Sequence, residues 1–243
     1  MARPVVLVTT DHRPARADAP VRSGRVRPAR AEAYVYESII ERLREAGAAV
    51  LLLPPGDTDP LALLELVDGL VVTGGAADIH PAHYGQAVWG RLDGVDEARA
   101  GMELALAAAA IQRGIPILGI CGGLQAMAVA SGGSLVQDIG TQVEGALEHE
   151  QPTDPALAWH PIQVEEGWKD YFPEAVNSTH HQALAHCGAL QPVARAPDGV
   201  IEAAVLPGHP FALGVQWHPE WLEGPLFAKL VEAAGQRRRA VAG

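Results

Sequence analysis

The sequence predicts an α/β protein whose mostly parallel sheet is covered by helices on both faces. In the first half, short apolar runs rich in branched residues alternate with helical patterns, and the connections between them are short. This alternation is typical of parallel strands joined by helices. The second half differs, because shorter strand patterns there lie between Pro- and Gly-containing turns. A final helix is predicted at about 224–236.

Each element of the first half is predicted from its own apolar pattern. The strands are continuous apolar runs, as expected for strands buried on both faces. They cover residues 4–10, 49–54, 69–75 and 115–120. The helices cover residues 31–48, 59–67 and 96–114. Helical spacing in the first of them places Tyr34, Ser38, Ile39, Leu43 and Ala46 on one face, and Gly47 ends it.

Composition limits the class of protein. The 243 residues are 48% hydrophobic, but no apolar run reaches the length that spans a bilayer and no signal-like segment begins the chain. A formal net charge of −11 opposes nucleic-acid binding, which needs a basic surface. Two cysteines suit a reducing compartment. We therefore expect one cytoplasmic domain over residues 1–243, with no membrane or nucleic-acid partner and with a homodimer as the commonest oligomer.

One segment departs from the acidic average. Residues 11–30 hold six of the eighteen Lys and Arg residues together with three prolines. Such a segment is typical of a mobile, solvated loop. Its arginines offer the alternative of holding a substrate carboxylate.

A cysteine lies directly after a predicted strand and directly before a helical pattern. The stretch GIPILGICGGLQAMAVASGG, residues 114–133, places Cys121 between Gly119 and Gly123. Small residues at these positions permit the sharp turn of a nucleophile elbow. The following helix N-terminus favours a thiolate, and the Gly122 N–H is free to meet an oxyanion. The alternative is a buried cysteine that acts only as a small hydrophobe.

A histidine and a glutamate provide the remaining groups that a nucleophilic cysteine needs. FALGVQWHPEW, residues 211–221, is a strand pattern that ends in His218, Pro219 and Glu220. In an extended backbone, residues two apart point the same way, so the Glu220 carboxylate would orient the His218 ring. A surface His–Glu pair at a strand end is the alternative. We predict the triad Cys121, His218 and Glu220.

These motifs together resemble the class I glutamine amidotransferase-like superfamily. GICGGLQ and GVQWHPEW match its Cys and His-Pro-Glu motifs. VVTGGAADIHPAHYG, ASGGSLVQDI, NSTHHQAL and ARAPDGVIEA are similar to the stand-alone γ-glutamyl-γ-aminobutyrate hydrolase family of putrescine breakdown. The resemblance covers nearly the whole chain. It implies a flavodoxin-like three-layer α/β/α sandwich and a hydrolase that cleaves γ-glutamyl amides through a γ-glutamyl thioester.

The resemblance also assigns roles to residues. Cys121 would be the nucleophile, His218 the general base and acid, and Glu220 its orienting partner. The oxyanion hole would be formed by the N–H groups of Gly75 and Gly122. The γ-glutamyl pocket would be lined by Gly74, Gln125, Ser178, Thr179, His180 and His181. The family requires no metal or organic cofactor, and a zinc site at His180, His181, His186 and Cys187 lacks zinc-finger spacing.

Two positions differ from the family, and two other functions remain open. Gly122 and Ala100 stand where the family usually has arginine and aspartate, which predicts an altered pocket and leaves the identity of the γ-glutamyl amine or peptide open. One alternative function is a glutaminase subunit that passes ammonia to a partner synthase. The other is a non-catalytic binding protein on the same fold, which an intact triad disfavours.

Overall fold

The computed structural model describes residues 2–13, 30–56 and 59–242 of the chain. The strands in these ranges are β1 (Val5–Thr9), β2 (Asp11–Arg13), β3 (Glu32–Tyr34), β4 (Ala49–Leu53), β5 (Gly69–Val72), β6 (Ile117–Ile120), β7 (Ser134–Val136), β8 (His160–Pro161), β9 (Gln163–Val164), β10 (Ala175–Val176), β11 (Ala183–His186), β12 (Gln191–Arg195), β13 (Ile201–Val205) and β14 (Ala212–Val215). The helices are α1 (Glu37–Glu45), α2 (Pro60–Leu63), α3 (Glu97–Gln112), α4 (Gly122–Ala130), α5 (Ile139–Gln142) and α6 (Leu226–Ala242). Single 3₁₀ turns lie at Pro81–Tyr84, Glu166–Trp168 and Pro219–Trp221.

Eight of these strands form one sheet in the order β4-β1-β5-β6-β14-β13-β12-β9. The first five are mutually parallel, and the last three continue the sheet as antiparallel strands. Counted along the chain, the parallel strands have the flavodoxin order 2-1-3-4-5. In such a sheet, ligands bind at the carboxyl ends of the strands, near the point where the strand order reverses. Here that point lies between β1 and β5.

Helices cover both faces of the sheet and bury its alternating side chains. Strand β1 shows the division, because Val6 and Val8 pack in the same apolar cluster as Ile39 of α1 and Leu230 of α6. Leu7 points the other way and packs in the cluster that contains residues of α3 and α4. Successive side chains of a strand alternate between faces, so a continuous apolar run supplies both layers. The predicted three-layer α/β/α sandwich is confirmed.

The first predicted helix is shorter than its apolar spacing indicates. Helix α1 begins at Glu37, whereas residues 32–34 form strand β3 and pair with β2. The prediction that Tyr34 lies on the helical face was therefore wrong, while Ile39 and Leu43 are buried as expected. The aromatic and branched residues around Tyr34 favour extended backbone over helix. The spacing of the aliphatic residues alone did not show that strand and helix compete for the segment around Tyr34.

The basic segment predicted at 11–30 lies mostly outside the described residues. Its first three residues form β2, and residues 14–29 are not among those described. The second half follows the pattern of short strands, since β12, β13 and β14 pair antiparallel. Helix α6 extends to Ala242, beyond the predicted end near 236. No helix among the described residues is long and apolar enough to cross a membrane.

The two adjacent glycines at the start of α4 differ in how closely other atoms approach them. A Cβ built on Gly123 would overlap the Val72 carbonyl oxygen of β5, whereas the nearest atom to a Cβ on Gly122 is 3.9 Å away. We predict that Gly123→Ala lowers the free energy of unfolding by about 2–3 kcal/mol and Tm by roughly 5–10 °C. Gly122→Ala is the matched control and should leave Tm within about 2 °C of the parent. Equal melting temperatures for the two variants would contradict this close packing.

Candidate active site

Cys121 occupies a strained turn between β6 and α4. Its backbone has φ 52° and ψ −108°. Among the described residues, Cys121 is the one residue other than glycine that has a positive φ. Such a conformation costs free energy and persists only where the surroundings enforce it. The Cys121 N–H donates to the Val215 carbonyl at 2.8 Å. A Cβ on Gly119 would come within 2.6 Å of the Gly123 carbonyl carbon, so the flanking glycines are required by the turn.

His218 and Glu220 form a buried pair beside this turn. His218 Nδ1 lies 2.8 Å from Glu220 Oε1, and the carboxylate is almost fully buried. The backbone reason differs from the one predicted, because β14 ends at Val215 and Glu220 lies in a 3₁₀ turn, Pro219–Trp221. An extended strand therefore does not bring the two side chains together. The turn that follows His218 does.

Asn177 fixes His218 at its backbone. Asn177 Oδ1 accepts from the His218 N–H at 2.8 Å, and Asn177 Nδ2 donates to the His218 carbonyl at 3.1 Å. The Trp221 ring stacks on the imidazole with centroids 4.7 Å apart. These contacts restrict both the backbone and the ring plane of His218. The sequence analysis gave neither Asn177 nor Trp221 a role in positioning His218.

The charge state of His218 is set by competing effects. Burial alone would lower the pKa of His218, but hydrogen bonds and electrostatic interactions with Cys121 and Glu220 outweigh it and raise that pKa to about 10. The imidazole therefore carries a proton at neutral pH. This proton is available to a thiolate or to a departing amine. A Cβ on Gly74 would lie 3.1 Å from both Cys121 Cβ and His218 Cε1, so a side chain at this position would crowd both groups.

A buried arginine orients the glycine turn that follows β5. Arg99 Nη2 donates to the carbonyls of Thr73 and Gly74, at 3.1 and 2.8 Å. A trans peptide is planar and its N–H points opposite to its C=O. Since the Gly74 carbonyl points at Arg99, the Gly75 N–H points away from Arg99. The role of this N–H as an oxyanion donor stays a prediction.

Acidic partners hold Arg99 in place. Its Nη1 lies 2.6 Å from Asp11 Oδ1, and its Nε lies 3.0 Å from Glu103 Oε1. Thr9 Oγ1 donates to the same Glu103 oxygen at 2.8 Å. All these groups are buried, so removal of one would leave a partner charge uncompensated. A sequence signal for this network existed, because Arg99 and Glu103 are four residues apart in an otherwise Ala-rich helix.

The catalytic candidates open into one cavity of about 260 Å³. Six of the predicted site residues line it: Cys121, His218, Glu220, Gly74, Gly75 and Thr179. Its other walls include Asp11, Tyr34, Tyr36 and Trp221. Gly122 begins α4 directly after Cys121, so its N–H is one of the helix's unpaired donors. The cavity thus lies at the carboxyl ends of β1, β5, β6 and β14.

Four predicted pocket residues lie elsewhere among the described residues. Gln125 is buried behind the cysteine, where its Nε2 donates to the Gln182 carbonyl at 3.2 Å. Ser178 and His180 are buried together, with Ser178 Oγ 3.1 Å from His180 Nε2. His181 Nε2 lies 3.2 Å from Asp78, whose hydrogen bond raises the pKa of His181. A substrate contact for these residues stays a prediction.

Gln216 links the buried polar side chains to the nucleophile. Its Nε2 lies 3.5 Å from Cys121 Sγ, and its Oε1 faces Gln125 Nε2 at 3.4 Å. Gln216 was not predicted as a site residue, although it precedes the WHPEW motif directly.

A second group of buried ionisable side chains, His149, His160 and Glu202, has the spacing of metal ligands.

Comparisons with known proteins agree with this architecture. The Peptidase C26 family model matches residues 16–220. The γ-glutamyl-γ-aminobutyrate hydrolase of Escherichia coli K12 is 39% identical over 204 residues, which cover 77% of this chain and 78% of that protein. A presumed glutamine amidotransferase-like protein of Lactococcus lactis is 39% identical over 193 residues, with 77% and 80% covered.

Solved structures extend the likeness to the fold. A protein of Thermoplasma acidophilum, described as a presumed subunit of GMP synthase, aligns over the full length of both chains with a TM-score of 0.63 and 18% identity. At that identity the match shows the fold alone. Together these matches confirm the resemblance to class I glutamine amidotransferase-like proteins that the sequence motifs indicated. The chain therefore belongs to the Peptidase C26 family, a family of amide-bond hydrolases.

Proposed function

We propose that this protein hydrolyses the γ-glutamyl amide bond of a small γ-glutamyl compound, such as γ-glutamyl-γ-aminobutyrate, and releases glutamate and an amine. The observation that carries the proposal is the convergence of Cys121, His218 and Glu220 on one cavity. The E. coli relative, named for this activity, is 39% identical over most of both chains. The volume of about 260 Å³ suits a small ligand.

The first half-reaction forms a thioester. The Cys121 thiolate attacks the γ-carbonyl carbon, and the oxyanion that develops is stabilised by the N–H groups of Gly75 and Gly122. The C–N bond then breaks while His218 gives its proton to the departing amine. Each oxyanion donor in such a site typically lowers the barrier by about 3 kcal/mol. Arg99 acts as a positioning residue, because it fixes the peptide that carries the Gly75 N–H.

The second half-reaction releases glutamate. His218, now neutral, takes a proton from water, and the resulting hydroxide attacks the thioester carbonyl. The C–S bond breaks, glutamate leaves, and the proton on His218 restores the starting state. Glu220 keeps the ring orientation through both steps by its 2.8 Å hydrogen bond to Nδ1.

Glutamine hydrolysis is the second candidate. The Lactococcus lactis relative carries the glutamine amidotransferase-like name at the same 39% identity. Glutamine has the same γ-glutamyl group with ammonia as the leaving group, so the same residues would act. The two functions differ in the amine side of the cavity and in the need for a partner synthase.

The decisive assay measures glutamate release from a panel that includes γ-glutamyl-γ-aminobutyrate, other γ-glutamyl amines, γ-glutamyl peptides and glutamine. We expect turnover of γ-glutamyl amines, with kcat/KM reduced by at least about 10⁴-fold in Cys121→Ala. Cys187→Ala is the matched control, because Cys187 lies outside the cavity and burial raises the pKa of its thiol. Mass spectrometry of quenched reactions should find a glutamyl adduct on Cys121.

Each other outcome of this assay has a defined meaning. Glutamine turnover that appears only when a synthase is added would favour the second candidate. Turnover that survives in Cys121→Ala would contradict the thioester mechanism. Inactivity of the folded parent on the whole panel would contradict the proposed function.

The pH dependence tests the His218–Glu220 pair. The imidazolium is present below the His218 pKa of about 10 and is lost above it, so kcat/KM should fall as the pH rises through that value. Glu220→Gln removes a charge that raises this pKa, and the alkaline limb should move to lower pH by about one unit or more. Glu223→Gln is the control, because Glu223 is exposed and pairs with Arg42. An alkaline limb at the same pH in Glu220→Gln would contradict the role of Glu220.

A further inference from the structure

A second cluster of ionisable side chains is buried apart from the cavity of Cys121. Glu202 of β13 is fully buried, and three histidine rings surround its carboxylate. The distances from Glu202 Oε1 are 3.6 Å to His149 Nδ1, 3.5 Å to His160 Nε2 and 3.8 Å to His180 Nε2. All three histidines are also buried. No step of the proposed hydrolysis uses this cluster.

In each ring, the nitrogen that faces away from Glu202, here called the outer nitrogen, indicates which neutral tautomer is favoured. Each outer nitrogen faces an oxygen that can only accept a hydrogen bond. These oxygens are Asp198 Oδ2 at 3.0 Å from His149 Nε2, the Pro161 carbonyl at 3.1 Å from His160 Nδ1 and the Gln182 carbonyl at 3.0 Å from His180 Nδ1. The outer nitrogens therefore carry the ring protons. In the neutral form of each ring, the inner nitrogen then carries a lone pair toward the carboxylate.

With the rings in this neutral tautomer, the inner atoms of the cluster are acceptors. Glu202 Oε1, Glu202 Oε2 and His160 Nε2 have no hydrogen-bond partner among the described residues. The Ser178 hydroxyl donates to the His149 carbonyl at 2.9 Å, and its oxygen lies 3.2 Å from His149 Nδ1 and 3.1 Å from His180 Nε2. A fully buried carboxylate without a proton donor or cation is costly. One proton on Glu202 could satisfy only one of the three imidazole lone pairs.

The separations fit a shared cation better than a shared proton. An O–H···N hydrogen bond would bring the two heavy atoms to within about 3 Å, which is closer than the 3.5 and 3.6 Å found here. Two ligand atoms that each lie about 2.1 Å from a tetrahedral ion are about 3.4 Å apart. The candidate ligand atoms of His149, His160 and Glu202 all lie within 4.8 Å of one another.

We propose that His149 Nδ1, His160 Nε2 and Glu202 Oε1 bind a first-row divalent cation. Two imidazoles and one carboxylate suit zinc best among common ions. The contact from His149 Nε2 to Asp198 is the outer-shell carboxylate–histidine contact that metal-binding histidines commonly make. The proposal rests on this geometry and not on the proposed hydrolysis.

A polar cavity gives the ion a route from solvent. His149 and His180 line a cavity of about 600 Å³ that is separate from the cavity of Cys121. Its walls also carry Asp138, Glu148 and Glu150. Their negative charges raise the local concentration of cations. The site is therefore accessible although its ligands are buried.

The position of the ion indicates a structural role. His149 precedes β8, His160 begins β8 and Glu202 belongs to β13, so one ion would join three separate segments of the second half. The Glu202 carbonyl accepts from the Gln216 N–H at 2.7 Å, and Gln216 in turn reaches Cys121 Sγ. A metal ion that binds the folded chain but not the unfolded chain stabilises the folded state by mass action.

The test measures metal content in a Cys121→Ala background, because a free thiol beside His218 could bind zinc by itself. We expect about one zinc per chain by mass spectrometry of the metal after dialysis against a low zinc concentration. Glu202→Gln in that background should hold at least about 10-fold less metal. His186→Gln is the matched control, because His186 is exposed and outside the cluster, and it should bind as the background does.

Thermal melting keeps the proposal testable if Glu202→Gln does not fold. Chelator-treated Cys121→Ala should regain a Tm higher by about 5 °C or more when excess zinc is added. Cobalt substitution should give a spectrum of nitrogen and oxygen ligands without a thiolate charge-transfer band. Absence of bound metal, an unchanged Tm with zinc, full metal content in Glu202→Gln, or a thiolate band from Cys187 would each overturn the proposal.

Discussion

The close approach of the α4 N-terminus to β5 is the constraint on which the candidate active site depends. Gly123 contacts the Val72 carbonyl so closely that no side chain fits between them, and Gly119 approaches the Gly123 backbone in the same way. This contact brings the end of β6 into a turn that a cysteine adopts only at a cost. Without it, Cys121 would relax and its Sγ would leave His218. Sheet packing thus supplies the free energy that holds the turn strained.

On the opposite side of the cavity, buried polar groups also hold the candidate catalytic groups in position. Burial disfavours a charged His218, but the two partners of its ring more than compensate, and its pKa is raised. The backbone of His218 is held at both its N–H and its C=O by the single side chain of Asn177. Arg99 likewise satisfies the carbonyls of Thr73 and Gly74 beneath the glycine turn. His218 and the glycine turn are therefore each oriented by buried polar partners.

The sequence contained the parallel half of the fold and the identities of the reacting side chains. Strands β1, β5 and β6 are continuous apolar runs because helices cover both their faces, and this pattern is legible without any long-range information. The turn around Cys121 was also predictable, since the glycines that permit it are adjacent in the chain. The strand at Tyr34 was not predicted, because helical spacing shows only which side chains share a face. It carries no information on pairing with a distant strand such as β2.

The positioning residues were missed for a different reason. Asn177 acts 41 positions from His218, and Arg99 acts 26 positions from Thr73. Nothing in the local composition around either residue announces its partner. A buried polar residue becomes informative only when its neighbours in space are known, because the same side chain at the surface would need no explanation.

Donors and acceptors are matched differently in two of the buried polar regions among the described residues. Around Arg99, four hydrogen bonds reach the carboxylates of Asp11 and Glu103 and the carbonyls of Thr73 and Gly74, so the buried acceptors find their donor and their cation within the chain. Around Glu202, the inward-facing atoms are acceptors and the protons of the rings are already used on the outer side. The Arg99 region contains its own cation, whereas the acceptors that converge around Glu202 are the reason for proposing a bound cation there.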